Sequence, residues 1–458
     1  MAMKRFLVMM AAVMMASTGG AQSKVLAPTP PMGWNSWDSY GLTVTERQFR
    51  DNVEVLDKKL KPFGWNYAVI DEGWFMENPQ DRPHPERLRM DVDRYGRYIP
   101  VPARFPSAQD RSFKGLADWV HSMGMKFGIH IVRGIPRQSV AGNLPIEGST
   151  FKAVDAADQT DACSWDPTNW GVRNNAAGQA WYDSLMRQYA EWGVDFVKVD
   201  CIASHPYKID EIRMIHRAIA KTGRPMVLSL SPGPTALANA AEVGTEAQMW
   251  RISDDFWDYW ASPTGKDFPQ SVLGQFEKTA AWERYAKPGN WPDADMLPLG
   301  YLGPVPGYGH ERETRLTHDE QRTLMTLWSM ARSPLILGAN LTKLDAFTTS
   351  LLTNPDVIAI DQHSVENRMA LHEGDIVAWT ARAAGSSAHG TEYLALFNVG
   401  DASAQVNTAF AKYGLTGKKY TVRDVWEKKD LGVKTTVSTA IPPHGVVLLK
   451  LRLEGRPD

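Results

Sequence analysis

The sequence lacks the charge surplus of a nucleic-acid-binding protein and the cysteines of a disulfide-rich scaffold. Its 50 Lys and Arg residues are balanced by 52 Asp and Glu, so the net charge over 458 residues is −2. This balance excludes a surface built to bind a phosphate backbone, and we expect no nucleic-acid partner. Cys163 and Cys201 are the two cysteines, and whether they pair with each other stays open.

Metal ligands and cofactor motifs are also missing. The 11 histidines show no His-x-x-x-His or His-x-His spacing, and no glycine-rich phosphate loop opens a helix. We therefore expect no metal ion and no organic cofactor. A metal-dependent barrel hydrolase would need histidines near the first strand end, where this chain has Trp34-Asn-Ser-Trp37.

Long hydrophobic runs are scarce as well. The longest extends from Phe6 to Ala16, which is well short of the roughly 20 residues that cross a bilayer. Lys4 and Arg5 precede it and small residues follow it, an arrangement typical of a secretory signal peptide. We predict that residues 1–21 are a signal peptide, that the protein has no membrane span, and that it is exported to the periplasm or the medium.

Tryptophan, by contrast, is abundant, with 17 residues beside 14 Tyr and 15 Phe. Flat apolar rings with one polar group suit contacts with sugar faces or with large interfaces. The remaining composition, 43% hydrophobic and 22% charged, is that of a folded globular protein. The near-neutral charge is consistent with an uncharged partner such as a carbohydrate.

The order of predicted elements indicates a barrel followed by an all-β module. Short apolar runs alternate with longer amphipathic stretches over most of the chain, as βα units do in a parallel sheet. Thr45 and Gln48, for example, have the spacing of a capping box at the start of a helix that Gly64 ends. We predict a (β/α)8 TIM barrel over residues 22–365 and an antiparallel β-sandwich over residues 366–458.

Acidic residues follow several of these predicted strands, and the carboxyl ends of the strands carry the active site of such a barrel. The strand Asp195–Asp200 places Lys198 and Asp200 on one face, because side chains alternate along a strand. A neighbouring ammonium keeps a carboxylate ionised, as a nucleophile requires. An ion pair inside the barrel is the alternative explanation.

A second acidic cluster follows the predicted strand near Trp250. Four charged residues compete for a role there: Arg251, Asp254, Asp255 and Asp258. A retaining glycosidase needs two carboxyl groups about 5–5.5 Å apart, one to attack the anomeric carbon and one to protonate the leaving oxygen. Strand ends in one barrel can supply that separation.

A third acidic pair, Asp71 and Glu72, closes another predicted strand and is followed by Trp74. Carboxylates that accept hydrogen bonds from sugar hydroxyls, beside a tryptophan ring, suit carbohydrate recognition. A catalytically inactive carbohydrate-binding barrel would show the same aromatic residues. Binding alone has no need of two opposed carboxyl groups, and Asp200 and Asp255 therefore favour an enzyme.

Several stretches have the form of known family motifs. They are Met32-Gly-Trp-Asn-Ser-Trp37, Trp192-Gly-Val-Asp-Phe-Val-Lys-Val-Asp200, Trp250-Arg-Ile-Ser-Asp-Asp255, Trp291-Pro-Asp-Ala-Asp-Met296 and Val422-Arg-Asp-Val-Trp426. Together they resemble glycoside hydrolase family 27, the α-galactosidase or melibiase family, over almost the whole mature chain. The resemblance implies the same barrel and the same C-terminal sandwich.

The resemblance also implies roles for individual residues. Asp200 matches the nucleophile and Asp255 the acid/base of a double-displacement reaction. Trp37 matches the ring that packs on the bound sugar. Lys198 matches a sugar-binding neighbour of the nucleophile, and Arg251 a ligand on the side of the 2-hydroxyl.

Four positions depart from the usual family pattern. Glu72 stands where family α-galactosidases usually carry Asp, in the pair with Asp71 that holds the 4- and 6-hydroxyls. His130 stands where a tyrosine near the sugar is typical, and Ser231 takes the place of a residue near the 2-substituent. Cys201 comes one place earlier than the usual half-cystine.

These features predict a secreted retaining exo-glycosidase that removes terminal α-D-galactopyranosyl residues, or stereochemically equivalent ones, from oligosaccharides or polysaccharide side chains. Glu72 is one methylene longer than Asp and reaches into the space of the C6 hydroxymethyl group of galactose. The family also contains β-L-arabinopyranosidases, whose sugar is galactose without C6, and this is the alternative activity. The small Ser231 makes α-N-acetylgalactosaminidase a further alternative. The oligomeric state is left open.

Overall fold

The computed structural model describes residues 25–304, 307–385, 390–417 and 419–454. The predicted signal peptide, residues 1–21, lies outside the described residues. Within the described ranges, no helix combines the length and the apolar character that a membrane span requires.

Eight parallel strands form the curled sheet of the predicted barrel. They are β1 (Met32–Asn35), β2 (Tyr67–Ile70), β3 (Lys126–Val132), β4 (Phe196–Asp200), β5 (Val227–Leu230), β6 (Met249–Arg251), β7 (Trp291–Asp293) and β8 (Leu335–Leu337). Their order around the sheet is β7-β6-β5-β4-β3-β2-β1-β8. The two outer strands approach through a parallel bridge between Leu297, just after β7, and Leu337 of β8. The predicted (β/α)8 architecture is confirmed.

Helices connect these strands and pack their apolar faces on the core. They are α1 (Glu46–Val55), α2 (Lys114–Ser122), α3 (Ala176–Trp192), α4 (Ile209–Thr222), α5 (Ala240–Glu246), α6 (Val272–Trp282), α7 (His318–Ala331), α8 (Ala346–Leu352) and α9 (Pro355–His363). Shorter helical turns at Trp37–Tyr40, Arg137–Ala141 and Ala153–Ala156 lie in the loops.

Helix α1 shows how the sequence dictates local structure. Thr45 caps its first turn and forms the predicted capping box with Gln48. Beyond the α-helical part, the chain continues as a π-helical turn over Leu56–Leu60 and a 3-10 turn over Lys61–Phe63. Gly64 then ends the helix in the left-handed conformation, with a φ of +102°, which a glycine adopts without steric cost.

Two insertions stand at the carboxyl ends of the strands. After β3, a small sheet combines Ile135–Pro136, Ala157–Ala162 and Asn169–Val172. After β7, a hairpin pairs Tyr301–Leu302 with Arg312–Glu313. Because they lie at the end of the barrel where the strands finish, both insertions border the site described below.

The C-terminal part folds into two antiparallel sheets. Its strands are β9 (Ser364–Glu373), β10 (Ile376–Ala383), β11 (Thr391–Asn398), β12 (Ala404–Ala409), β13 (Tyr420–Asp424), β14 (Lys429–Lys434), β15 (Thr436–Ile441) and β16 (Val446–Leu453). The larger sheet has the order β9-β10-β11-β16-β13-β14, and the smaller one pairs β12 with β15. Leu394 and Leu449 of the larger sheet share one apolar cluster with Val406 and Ile441 of the smaller sheet. The predicted sandwich is confirmed.

The sandwich packs against the outer helices of the barrel. Phe276 of α6 meets Phe397 of β11 edge to face, with ring centroids 5.1 Å apart. The indole of Trp426 donates a hydrogen bond to Oγ1 of Thr326 in α7 at 2.9 Å. These contacts bury aromatic surface between the two parts and hold the sandwich on the barrel.

Candidate active site

The carboxyl ends of the barrel strands open into a cavity of about 540 Å³. All nine residues with a predicted catalytic or sugar-binding role line it: Trp37, Asp71, Glu72, His130, Lys198, Asp200, Ser231, Arg251 and Asp255. Volumes of roughly 300–1,000 Å³ are usual for small-molecule sites. The fold thus gathers side chains from β1 to β6, and from the loops after them, in one place.

Strand β4 carries a charged side chain and a carboxyl group into the cavity. Its alternation puts Phe196 in the apolar base of the barrel, while Lys198 and Asp200 line the cavity above. Lys198 Nζ donates to Oδ2 of Asp71 at 2.9 Å, so the buried ion pair joins β4 to the end of β2. Burial alone would lower the pKa of Lys198, but the charges of Asp71 and Asp200 raise it. The ammonium group therefore stays charged.

Asp71 is held in its ionised form. Burial alone would raise the pKa of Asp71, but Lys198 and His130 lower it, and the Glu72 amide donates to Oδ1 at 2.9 Å. The side-chain amide of Asn35 donates to Oδ2 at 2.7 Å. Because both oxygens have donors, the orientation of this carboxylate is fixed.

Asp200, the predicted nucleophile, lies among several donors. The Cys201 amide donates to Oδ1 at 2.8 Å, Trp165 Nε1 donates to Oδ2 at 3.4 Å, and His130 Nε2 lies 3.8 Å from Oδ2. Burial alone would raise the pKa of Asp200, but His130, Lys198 and the Cys201 amide hold it below the usual 3.8. A carboxylate that is ionised at neutral pH can attack an electrophilic carbon.

Asp255, the predicted acid/base, lies in the loop after β6. Its side chain is 45% exposed, and Arg251 Nη2 lies 3.3 Å from its Oδ1. The same nitrogen is 2.7 Å from Oδ2 of Asp295, which anchors the guanidinium from below. Burial raises the pKa of Asp295 to about 7, with Arg251 acting against the rise and Asp255 and Asp293 adding to it.

The structure separates Asp255 from the other acidic residues of its cluster. Asp254 also lines the cavity, but its carboxylate lies 3.2 Å from His205 Nε2. Asp258 is fully buried and forms an ion pair with Arg312 at 2.6 Å. Since Arg312 belongs to the hairpin after β7, Asp258 anchors that hairpin and does not line the described cavity.

Glu72 forms part of the cavity wall together with residues of the loops. Its side chain is buried, and its Oε1 accepts no hydrogen bond from the described residues. Arg82 Nη2 lies 3.8 Å from this oxygen and 3.1 Å from Oδ2 of Asp166. Burial raises the pKa of Glu72 well above its ordinary value, and the charge of Asp166 raises it further, against the effect of Arg82.

Trp37 and Ser231 complete the predicted set. The Trp37 amide donates to Oδ1 of Asn35 at 2.8 Å, which fixes the turn after β1, and the indole ring is partly buried at the cavity. Ser231 follows β5, and its amide donates to the Val199 carbonyl oxygen at 2.9 Å. Its buried side chain leaves a small polar edge on this side of the cavity.

Cys163 and Cys201 form a disulfide, which answers a question that the sequence left open. The bond ties the insertion after β3 to the residue that follows Asp200. The residues that follow Cys163 place Trp165 in the cavity and Asp166 next to the part of the cavity wall that contains Glu72. The covalent link thus shapes one side of the cavity.

The sequence-based predictions missed several residues of the cavity, namely Asp38, Trp165, Trp257, Phe268 and Asp295. Asp295 lies in a stretch that has the form of a family motif, so a signal for it was present. Trp165 and Phe268 lie in irregular segments, and no hydrophobic period predicts the path of such segments.

The cavity offers two carboxyl groups in different surroundings. Asp200 is ionised and surrounded by donors, whereas Asp255 stands at an exposed position beside a guanidinium. Among the described residues, no group of three or more His, Cys, Asp or Glu side chains is arranged to hold a metal ion. A barrel that presents two such carboxyl groups to a cavity has the features of a glycoside hydrolase.

Comparisons with known proteins agree with this class. Residues 174–363 match the family described as Alpha galactosidase A, and residues 373–451 match the alpha galactosidase C-terminal beta sandwich domain. A family 27 β-L-arabinopyranosidase from Geobacillus stearothermophilus is 42% identical. Its crystal structure has a TM-score of 0.87, covering 94% of this chain and 98% of that chain.

Two further relatives are more distant. Alpha-galactosidase 2 of Arabidopsis thaliana is 27% identical, over 94% of this chain and 93% of its own. The alpha-N-acetylgalactosaminidase of Gallus gallus is 27% identical, over 92% of this chain and 93% of its own. The chain belongs to glycoside hydrolase family 27. The roles of the nine predicted site residues stay predictions.

Replacing His130 by Phe removes the imidazole beside Asp200. Because His130 helps to hold the pKa of Asp200 below 3.8, its loss raises that pKa, and the acid limb of kcat/KM moves to higher pH. The measurement is a pH profile of kcat/KM with an aryl glycoside. His130→Gln keeps a hydrogen-bond donor and should shift the limb less. An acid limb in His130→Phe that matches the wild type would contradict this assignment.

Asp258→Asn tests whether the third acid of its cluster is structural. Asn leaves the Arg312 and Arg315 guanidinium groups, 2.6 and 2.9 Å from the Asp258 carboxylate, without a counter-charge. Breaking a buried pair in this way costs about 3 kcal/mol of unfolding free energy, while kcat of the folded protein changes little. Urea unfolding and steady-state kinetics measure the two effects. Asp430→Asn, at an exposed pair in the sandwich, is the control. A variant with full stability and a lost kcat would instead place Asp258 in the chemistry.

Proposed function

We propose that the protein is a retaining exo-glycosidase that removes terminal β-L-arabinopyranosyl residues, with α-D-galactopyranosides as slower substrates. L-Arabinopyranose is the same ring as D-galactopyranose without the exocyclic C6. The observation that carries this choice is the buried carboxyl group of Glu72 in the cavity wall. It moves the preference from α-D-galactose, which the family resemblance implies, to the sugar without C6.

The effect of Glu72 on the sugar preference is steric. A glutamate carries its carboxyl group one methylene further than the aspartate usual at this position. In a closely packed wall, that methylene takes space that a substrate group would otherwise fill. One crowded or missing contact of this size discriminates by about 1–3 kcal/mol, or roughly 10- to 200-fold. Galactosides are therefore expected to remain substrates.

Sequence identity to two relatives favours the arabinopyranoside over the α-D-galactoside. The β-L-arabinopyranosidase of Geobacillus stearothermophilus shares more identical residues with this chain, 42%, than the Arabidopsis thaliana alpha-galactosidase does, 27%. A variant of the Geobacillus enzyme has been crystallised in complex with arabinose. Both relatives extend over nearly the whole chain, so the two identities refer to similar lengths of it.

The reaction that these residues can perform is a double displacement. Asp200 attacks the anomeric carbon as the bond to the leaving oxygen breaks, and protonated Asp255 gives its proton to that oxygen. In the second step, Asp255 takes a proton from water, and the water oxygen attacks the anomeric carbon and releases Asp200. The proton on Asp255 is thereby restored.

Other residues hold the sugar for this reaction. Lys198 retains donors beyond its bond with Asp71, because an ammonium group has three hydrogens. The side chains of Lys198 and Asp71 both lie in the cavity beside Asp200, where they can bind neighbouring hydroxyls of the sugar. The partly buried ring of Trp37 provides an apolar face for the sugar ring.

We also propose that the enzyme is exported. The predicted signal peptide of residues 1–21 supports this localisation. The disulfide between Cys163 and Cys201, close to the predicted nucleophile, suits an oxidising compartment. Polysaccharide side chains are substrates that an exported enzyme can reach.

Glu72→Asp tests the sugar preference. The wild type should hydrolyse 4-nitrophenyl β-L-arabinopyranoside with a kcat/KM about tenfold or more above that of the α-D-galactoside, and the shorter side chain should lower this ratio several-fold. Glu77→Asp is a matched control, because Glu77 pairs with Arg89 on the surface of the same loop. The α-N-acetylgalactosaminide and α-D-glucoside complete the panel. A ratio that Glu72→Asp leaves unchanged, or a wild type that prefers another sugar, would contradict the proposal.

The double displacement predicts different consequences for the two carboxyl groups. Asp200→Asn should abolish hydrolysis of every glycoside, because no glycosyl-enzyme can form. Asp255→Asn should lower kcat/KM, which reports the first step, by about 10²–10⁴ for substrates with poor leaving groups and less for aryl glycosides, which need little protonation. NMR of the first-formed sugar should show a retained anomeric configuration. An inverted product would rule out the covalent intermediate.

A further inference from the structure

An arginine outside the predicted set lies between two buried carboxyl groups. Arg82, in the loop between β2 and α2, is 3.1 Å from Oδ2 of Asp166 and 3.8 Å from Oε1 of Glu72. The exposed fractions of the three side chains are 17%, 1% and 9%, respectively. We call these three residues the acid–arginine cluster.

The two carboxyl groups of the cluster are fixed to different degrees. Oδ1 of Asp166 accepts hydrogen bonds from the Thr168 amide at 2.8 Å and from the Thr168 hydroxyl at 2.5 Å. Its other oxygen faces Arg82. Oε1 of Glu72 accepts no hydrogen bond from the described residues. Asp166 is therefore the anchored member, and the position of Glu72 depends on the other two.

The cluster is also tied to the strand that carries the predicted nucleophile. Arg82 Nη2 donates to the carbonyl oxygen of Trp165 at 2.9 Å. The disulfide between Cys163 and Cys201 joins that segment covalently to the end of β4. The loop after β2 and the insertion after β3 are thus locked together at one side of the cavity.

We propose that Arg82 and Asp166 are specificity-determining positioning residues, which hold the Glu72 carboxyl group in the cavity wall against the space of an exocyclic C6. This inference rests on the preference for L-arabinopyranosides proposed above. Neither residue is among those that line the described cavity, so neither contacts the sugar directly.

The charges of the cluster give it a pH dependence. One guanidinium balances one of the two carboxylates, and two buried carboxyl groups this close resist joint ionisation. Burial raises the pKa of Glu72 well above its ordinary value, and Asp166 and Asp200 raise it further while Arg82 lowers it. Asp71, the residue before Glu72, is already in an ion pair with Lys198.

The sign of the pH effect follows from these charges. Below its raised pKa, Glu72 is neutral and can stay beside the charge of Asp166. As the pH rises through that pKa, Glu72 also becomes negative, and its repulsion by the charge of Asp166 displaces the Glu72 carboxyl group from the wall. KM for the arabinoside then rises with pH, while kcat, which depends on Asp200 and Asp255, does not follow the same transition.

Asp166→Asn tests the inference. Asn retains an oxygen for the two Thr168 donors but presents an amide to Arg82, which then turns to Glu72 and draws it away from the cavity. We expect the ratio of kcat/KM for the β-L-arabinopyranoside to that for the α-D-galactoside to fall about fivefold or more. The rise of KM with pH should be lost, because the charge that repels ionised Glu72 is gone.

A double-mutant cycle identifies the residue through which Asp166 acts. In the variant that combines Glu72→Asp with Asp166→Asn, the second change should have less effect on the sugar ratio than it has in the wild type. Arg89→Met, at a surface pair of the same loop, is the control that should leave the ratio and the pH profile unchanged. Should Asp166→Asn fail to fold, Arg82→Met decides, because it removes the shared cation and should also lower the ratio.

The possible results separate the two proposals. A wild type that prefers the arabinoside, with a sugar ratio and a KM profile that neither Asp166→Asn nor Arg82→Met changes, would overturn the positioning role alone. Fully additive effects of Glu72→Asp and Asp166→Asn would do the same. A wild type that prefers the α-D-galactoside would overturn the proposed function and this inference together.

Discussion

Carboxyl groups outnumber cations at the strand ends, and this imbalance determines the charge states of the other groups in the site. Seven carboxyl groups line the described cavity, against two permanent cations, Lys198 and Arg251. Burying that many like charges is costly, so the groups divide into two populations. Despite their burial, Asp71 and Asp200 have pKa values below the usual range near Lys198, whereas burial raises the pKa of Asp295 to about 7. Acids held in opposite states at one pH are what acid/base chemistry requires.

The predicted nucleophile, Asp200, must be held rigidly in order to react among so many charged groups. Cys201, the next residue, has a left-handed backbone with a φ of +63°, which is strained for any residue other than glycine. Its carbonyl oxygen accepts a hydrogen bond from Arg133 Nε at 2.7 Å, and Arg133 in turn pairs with buried Glu211 at 2.7 Å. Tyr182 donates to the same carboxylate. This network and the disulfide together keep the turn after β4 in place, and with it the Asp200 carboxylate.

Most of the fold was predictable because short-range patterns determine it. The alternation along β4 sufficed to place Lys198 and Asp200 at one site, although the partner of Lys198 in the ion pair is Asp71. The short strand β7 and the mostly exposed strand β14 could not be predicted in this way, because neither has an apolar period long enough to be recognised. Arg82 and Asp166 were missed for a different reason. They meet only because a disulfide and an ion pair join two loops that are distant in sequence, and no local pattern encodes that meeting.

The groups assigned to bond cleavage and the residues that support the cavity wall lie in different parts of the fold. This separation affects how the sugar preference can change in such a barrel. The carboxyl groups assigned to bond cleavage stand on or just after β4 and β6, whereas the wall at Glu72 is supported from the loop after β2 and the insertion after β3. Loops tolerate substitution better than strands, so the wall can change while the reacting groups stay fixed. The disulfide limits this independence, because it fastens the supporting segment to the residue beside Asp200. A change in the wall that shifts this segment would therefore also reach the nucleophile.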